Sequence, residues 1–501
     1  MHTFAYPLKR ALQVAGDRPA IISEGRTLTY RELNSRCRRL ASVLQRAGAR
    51  PGDRIAILAA NTHHYLEAYV AIPAAGFVIV PLNTRHAEPE LRYAIEDAGA
   101  KVLLTDRDPG LLGELVDTVI LIPGELDELI DAADGIELGE GVTEDSLAGL
   151  FYTGGTTGAS KGVMLTHRNL ISNTFHFMTM APPVGDSVFL IMAPMFHAAG
   201  SNGVLSGIWS GSCQIPLKIF DASVALDIIE KHKVTHTLGV PTMLAAISEL
   251  QHAEPRDTTS LRMIAHGGSP IATETVRRAV QAFPTAEFVH VYGMTEGSPL
   301  VTGLRNEQDL LDNDRSRSCG QALIGVEVMI TDDSGKELPT GEVGELATRG
   351  PNIMQGYWNK PQQSEEVFRN GWYRSGDMGY MDEEGFIFLV DRAKDMIVSG
   401  GENVYCSEVE EALYKHPAVL EAAVFGVPDK DWGEAVHAVV VPRDDVTPEA
   451  LIEFCRQHIA GYKLPKAITL SSEELPKSGP GKILKRKLRE PFWQGQDRKV
   501  N

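Results

Sequence analysis

The stretch YTGGTTGASKG, Tyr152 to Gly162, sets glycines among threonines, a serine and a lysine. Glycines expose backbone N–H groups, hydroxyls donate hydrogen bonds, and Lys161 adds positive charge, so the run has the makings of a phosphate cradle. It is not a Walker A loop, which requires G-x-x-x-x-G-K-[ST]; here Ser160 precedes the lysine and Gly162 follows it. Taken alone, it reads equally well as a surface turn.

The sequence on either side of this loop alternates helical and strand-like signals. In TYRELNSRCRRLASVLQRAG, Thr29 and Glu32 form a capping box, and Leu33, Cys37, Leu40 and Leu44 follow at helical spacing until Gly48. DRIAILAAN and KVLLTD read as strands flanking a helical ELRYAIEDAG. IIEKHKVTHTLGVP and VRRAVQAFPTAEFVHVYG repeat the order of helix then strand. Such alternation predicts an α/β fold with mainly parallel sheets. Beyond about residue 320, GVEVMITDDSGKELPTGEVGELATRG alternates short β segments with Asp/Gly turns, as small sheets or barrels do. From Met396 onward the chain reads as a small α+β unit. The expected boundary lies near Asp391 to Asp395, giving domains 1–392 and 393–501.

The whole chain of 501 residues is long enough for two or more domains. Its 48 basic and 66 acidic residues leave a net charge of −18, which disfavours nucleic acid and anionic membranes and confines any polyanion site to a local basic pocket. Cys37, Cys213, Cys319, Cys406 and Cys455 are scattered without a C-x-x-C pair, so neither a zinc knuckle nor a disulfide framework is expected, and a reducing cytoplasm fits. The N-terminus has no apolar signal core. The most apolar run, Tyr69 to Leu82, contains prolines and falls short of the roughly 20 residues needed to cross a bilayer, so it reads as buried structure.

Three further stretches carry chemistry. HVYGMTEGS, His290 to Ser298, follows a strand and sets Thr295 beside Glu296, a hydroxyl and a carboxylate of the hard oxygen type that Mg²⁺ accepts alongside phosphates. WYRSGDMGYMDEEGFIFLVDRAKDMIVSGGENVY supplies Asp377, suited to ribose hydroxyls, and Arg392, suited to ribose or phosphate. LPKSGPGKILKRKLRE places Lys482 in a Gly/Pro loop that opens a basic helix.

Together, in this order and spacing, the motifs resemble the adenylate-forming superfamily of acyl-CoA synthetases, luciferases and peptide-synthetase adenylation domains, over essentially the whole chain. The resemblance implies a large N-terminal domain with a small barrel-like subdomain, followed by a small mobile C-terminal domain that swings between two half-reactions. It implies Mg²⁺ as cofactor and ATP and CoA as co-substrates. By resemblance, Thr153, Gly154, Gly155, Thr156, Thr157, Gly158 and Lys161 grip the β- and γ-phosphates; Glu296 holds the metal and Thr295 meets the α-phosphate. Gly268, Ser269, His290, Val291, Tyr292 and Gly293 line the adenine slot, and Asp377 and Arg392 hold the ribose. Lys482 bridges carboxylate and α-phosphate during adenylation. Lys394 occupies the hinge, and Gly400, Gly401, Trp432 and Lys466 face CoA. His197 in MFHAAG flanks the acyl pocket, where Gly200, Asn202, Gly267 and Gly297 leave space for an apolar or aromatic acid.

The chain departs from the family's commonest S-G-T-T-G-x-P-K-G loop, with a glycine for the serine, in the pair Gly154 and Gly155, and Ser160 for the proline. Cys406 stands where the SGGEN loop usually continues into proline, and as a small apolar filler it is given no role. Leu464 lies near where some relatives place an arginine for CoA. FDAS, beginning at Phe220, mimics a peptide-synthetase signature but is read as a helix start, which argues against an α-amino acid substrate. The basic KILKRKLRE run is read as the catalytic lysine's surroundings rather than as a nucleic-acid patch. The expected activity is an ATP-dependent carboxylic acid:CoA ligase acting on a fatty or aromatic acid. Its rivals are an amide-forming or carrier-protein ligase using the same acyl-AMP, and an acyl-adenylate-binding protein without efficient turnover. A homodimer is carried as a candidate assembly.

Overall fold

A computed structural model describes residues 3–153, 160–392, 395–399, 402–430, 432–478 and 483–493, with the side chains of residues 199, 201, 202 and 392 also outside the description. The local signals become elements as read. Thr29 caps the helix Tyr30–Arg46: its hydroxyl accepts from the Glu32 N–H, while the Glu32 carboxylate accepts from the Thr29 N–H at 2.7 Å. Leu33, Cys37, Leu40 and Leu44 are all buried. Gly48 follows with φ +91°, a left-handed conformation that glycine adopts without a Cβ penalty. The apolar run at Tyr69 to Leu82 divides between the buried helix His63–Ala74 and the buried strand Val78–Pro81. Asp221 of the FDAS stretch accepts from the Val224 N–H at 2.9 Å and caps the helix Ala222–His232.

Among the described residues the strands form four sheets. One six-stranded sheet orders Thr118–Leu121, Val102–Thr105, Arg54–Leu58, Val78–Pro81, Leu147–Thr153 and Lys161–Thr166, parallel except for the last pair. A nine-stranded sheet sets Val188–Ile191, His236–Gly239, Met263–Gly267 and Glu287–Gly293 side by side and parallel. An antiparallel sheet follows, centred on Gly344–Arg349 and Trp372–Met381. The last sheet pairs Val419–Asp429 with Gly433–Pro442, and the helices Cys406–Tyr414 and Pro448–Arg456 contribute to its separate apolar core. The architecture is thus a large α/β part of mainly parallel sheets followed by a small α+β part. The small part rests on the large one through an Arg443–Glu249 ion pair at 2.6 Å and an Arg85 hydrogen bond to the Ser478 carbonyl. Among the described residues no helix is long and apolar enough to cross a membrane.

Several histidines are buried in this framework. Burial pushes His167 and His236 down to about 4, and burial with the neighbouring His266 does the same to His290. Each is neutral when folded but protonated when unfolded below about pH 6.5, so between about pH 6.5 and 4 the unfolded state binds more protons and stability falls as pH falls. The urea midpoint should therefore drop from pH 7 to pH 5. The loss should be at least about 2 kcal/mol, the ideal contribution of one such group over that interval. A flat midpoint across the range would contradict it.

Candidate active site

Thr153 and Lys161 face each other across the antiparallel pair Leu147–Thr153 and Lys161–Thr166, and so mark the two ends of the opening loop. Gly154, Gly155, Thr156, Thr157 and Gly158 lie outside the described residues. The second of these strands hydrogen-bonds to the segment around Tyr357, with Met164 N donating to Gly356 O at 3.0 Å and Trp358 N to Gly162 O at 2.8 Å. This pairing brings the Lys161 ammonium to 4.6 Å above the Tyr357 ring. The Tyr357 hydroxyl in turn donates to Glu296 Oε1 at 2.9 Å. Burial and the Glu296 charge raise the Tyr357 phenol above its ordinary range, so it stays protonated and donates. Lys161 and Glu296, distant in sequence, thereby share one aromatic neighbour.

Glu296 sits in a single 3₁₀ turn, Thr295–Gly297, directly after the strand Glu287–Gly293. Two buried asparagines hold the chain beyond that turn. Asn173 and Asn352 each donate to the carbonyls of Gly297 and Leu300, Asn352 at 3.0 and 2.8 Å. Thr295 is itself buried.

On the neighbouring strand, His266 and Gly267 pair with His290 and Val291. The His290 ring stacks on His266 at 4.9 Å, and His266 Nε2 meets Glu307 Oε2 at 2.5 Å. Although burial pushes it up, the Glu307 carboxyl is held below its ordinary value by His266. Gly268 then turns with φ +83° and is exposed beside half-buried Ser269, so this turn depends on glycine. Tyr292 donates to Asp377 Oδ2 at 2.7 Å, which joins the strand expected to line the adenine slot to the carboxylate expected to hold ribose. Arg392 is the direct cross-strand partner of Asp377, and its side chain lies outside the description. Gly293 closes the strand so tightly that a Cβ there would lie 1.8 Å from the Pro299 carbonyl.

His197 ends the segment that follows the strand Val188–Ile191 and directly precedes the helix Ala198–Ser210. Asn61 staples this segment, accepting from Met195 N at 2.8 Å and donating to Ala193 O at 2.9 Å. A Cβ at Gly200 would lie 2.1 Å from the Pro194 carbonyl, one at Gly267 2.0 Å from that of Val291, and one at Gly297 2.8 Å from the Val301 side chain. Glycine at each of these positions allows a close approach of neighbouring protein. The side chain of Asn202 is outside the description.

In the small part, Lys394, Gly400, Gly401 and Lys482 lie outside the described residues. Trp432 is half exposed, with Lys466 Nζ 5.1 Å above its ring, so the two described residues expected to meet CoA stand together. Leu464 is buried in the small core. Cys406 is buried, its thiol donating to the Asp395 carbonyl at 3.2 Å.

His197, Gly268 and Thr295 with Glu296 all lie past the carboxyl ends of parallel strands of the nine-stranded sheet, the edge at which open α/β sheets bind ligands. The residues that sequence reasoning did not single out are Tyr357, Asn173, Asn352 and Asn61.

Residues 8–358 match the AMP-binding enzyme family and residues 408–482 match the AMP-binding enzyme C-terminal domain, so the chain belongs to the adenylate-forming superfamily. It is 40% identical over 494 residues to a feruloyl-CoA synthase of Amycolatopsis sp, spanning 97% of this chain and 98% of that protein. It is 35% identical over 501 residues to the fatty acid–[acyl-carrier-protein] ligase ScoC of Streptomyces coeruleorubidus, spanning 96% and 95%. The solved o-succinylbenzoate CoA synthetase of Bacillus subtilis, in complex with its acyl-adenylate intermediate, superposes with a TM-score of 0.86 at 33% identity, covering 96% of this chain and 97% of that one. Within the superfamily its place is on the acyl-CoA synthetase branch.

Proposed function

We propose that the protein is an ATP-dependent carboxylic acid:CoA ligase acting on a fatty or aromatic acid. The observation that carries this reading is the gathering of Lys161, Glu296, Tyr292 and Asp377 around the carboxyl ends of the parallel strands. In the first half-reaction an acid oxygen attacks the α-phosphorus of ATP, and the bond to the β-phosphate oxygen breaks, giving acyl-AMP and pyrophosphate. In the second, a thiol sulfur attacks the acyl carbon, AMP leaves and the thiol proton is released. No covalent protein nucleophile is needed, so the protein's work is positioning and charge neutralisation.

In this reading Lys161 and the loop from Thr153 clamp the departing pyrophosphate, and Asp377, aimed by Tyr292, holds the ribose. A carboxylate oxygen beside substrate phosphates is a donor that fits Mg²⁺, and Glu296 would hold it there while the Thr295 hydroxyl meets the α-phosphate. When bound, the ion neutralises phosphate charge. Residues 1–392 and 393–501 are the two domains, Lys394 is their hinge, and Gly400, Gly401, Trp432 and Lys466 serve CoA. Converting Tyr292 to Phe should raise KM for ATP about tenfold, the loss expected for a hydrogen bond to a charged group, with kcat little changed. An unaltered KM would remove Tyr292 from ribose positioning.

The test of the whole reading is a panel of fatty, cinnamic, benzoic and heteroaryl acids scored for pyrophosphate release and for AMP formation with CoA. Acid-dependent pyrophosphate release with CoA-dependent AMP formation supports the ligase. AMP formation that depends instead on a carrier-protein thiol, the acceptor named for the ScoC relative, or on an amine would reassign the acceptor. No pyrophosphate release with any acid would overturn adenylation itself.

A further inference from the structure

The helix His63–Ala74 opens with two histidines, and Asp127 faces them from the helix Gly124–Ala132. His64 Nε2 lies 3.1 Å from Asp127 Oδ2, and the His63 and His64 rings are 3.8 Å apart. One donor atom from each of the three residues lies within 4.8 Å of the others. His63 is 5% exposed, and neither of its ring nitrogens has a hydrogen-bond partner. Leaving a buried polar group unpartnered costs roughly 1–3 kcal/mol. Nothing in the adenylation site uses these residues.

The surroundings orient the cluster. Arg36 donates to Asp127 Oδ1 at 2.5 Å and also pairs with fully buried Glu67 at 2.6 Å, which ties down one Asp127 oxygen and leaves Oδ2 toward the histidines. The His63 N–H donates to Ser23 Oγ at 3.2 Å, fixing the start of the helix. Asp127 keeps 31% of its side chain exposed, so the cluster has a route to solvent. Arg36 and Arg26 face the site as cations, against Glu67, Asp127 and Glu24 as anions.

We propose that His63, His64 and Asp127 form a binding site for a divalent transition metal of the Zn²⁺ type, separate from the adenylation site. Two imidazoles and one carboxylate, with a fourth position open to water, are a donor set Zn²⁺ takes. Arg36 plays the outer partner that orients the ligating carboxylate. With bonds of about 2.0–2.2 Å the donors must draw in by roughly an ångström from their present separation.

The test uses full-length, tag-free protein stripped with a chelator and titrated with Co²⁺, read by the visible absorption of the low-coordinate ion, and with Zn²⁺ by competition against a chromogenic chelator. One metal per chain is expected, together with a rise in thermal midpoint on adding Zn²⁺. His63→Ala and His64→Ala should each weaken binding by more than about 100-fold, beyond the loss typical of an outer-shell change, while acid-dependent pyrophosphate release persists in His63→Ala. His63→Gln serves if the alanine variant does not fold, and His252→Ala, at an exposed surface histidine, should bind as the parent does. The proposal is overturned if the parent takes up no stoichiometric metal, or if folded His63 and His64 variants bind as tightly as the parent.

Discussion

Replacing Lys482 by alanine is expected to lower acid-dependent pyrophosphate release by about 10²- to 10³-fold, the scale on which a single transition-state donor is worth its place. Thioester formation from supplied acyl-AMP should stay within a few-fold of the parent. The asymmetry follows from charge. In the first step a carboxylate approaches a phosphate, and two unit charges about 4 Å apart repel by about 4 kcal/mol at an effective dielectric of 20. A lysine between them turns that repulsion into two attractions. In the second step the acid is already joined to AMP as a mixed anhydride, the attacking group is a thiol, and no such pair exists. Lys482 lies outside the described residues, but the chain on either side is anchored: Lys477 bridges to Ile483 and its ammonium pairs with Glu421 at 2.5 Å. The substitution should therefore leave the fold intact. Equal loss of both half-reactions would show that Lys482 is not the bridge between acid and α-phosphate.

Much of this arrangement was legible because its signals are local. The capping box at Thr29 and Glu32 and the helical spacing of Leu33, Cys37, Leu40 and Leu44 lie within a few turns, and the burial of all four follows from that spacing. Asp221 could be separated from a substrate aspartate because the residues after it already form a helix pattern. The strand carrying Tyr292, and Thr295 with Glu296 just past it, came from a motif with a fixed order. What was not legible were the partners that strand and loop pairing bring from far along the chain. Tyr357 reaches Glu296 only because Gly162 and Met164 hydrogen-bond to its segment, and no spacing rule predicts that. Asn173 and Asn352 converge on the same two carbonyls from separate parts of the chain, and in the sequence each is an ordinary asparagine. The close approaches at Gly200 and Gly267 are likewise invisible in the sequence, because the positions of the Pro194 and Val291 carbonyls that meet them are set by the folded chain. His63 and His64 drew no attention because their third partner, Asp127, lies on another helix.

Converting Glu296 to Gln is expected to lower adenylation by about 10²- to 10³-fold while leaving thioester formation from acyl-AMP nearly unchanged. The substitution keeps size and shape and keeps an oxygen that accepts from the Tyr357 hydroxyl, so it removes charge without breaking the 2.9 Å hydrogen bond. If Glu296 served only to position Tyr357, glutamine would do as well, and Tyr357→Phe would be the more damaging change. If its charge instead holds the ion that travels with ATP, the order reverses. Glu296→Gln should then be severe and partly relieved by raised Mg²⁺. Tyr357→Phe should cost only about 3- to 10-fold, near the net worth of one hydrogen bond. Lys161 sharpens the comparison, because its ammonium sits above the same tyrosine ring and phenylalanine preserves that face. Pyrophosphate release measured across Mg²⁺ concentrations for the parent and both variants separates the two roles. A Glu296→Gln enzyme with parental activity and parental Mg²⁺ dependence would exclude this carboxylate as the metal ligand.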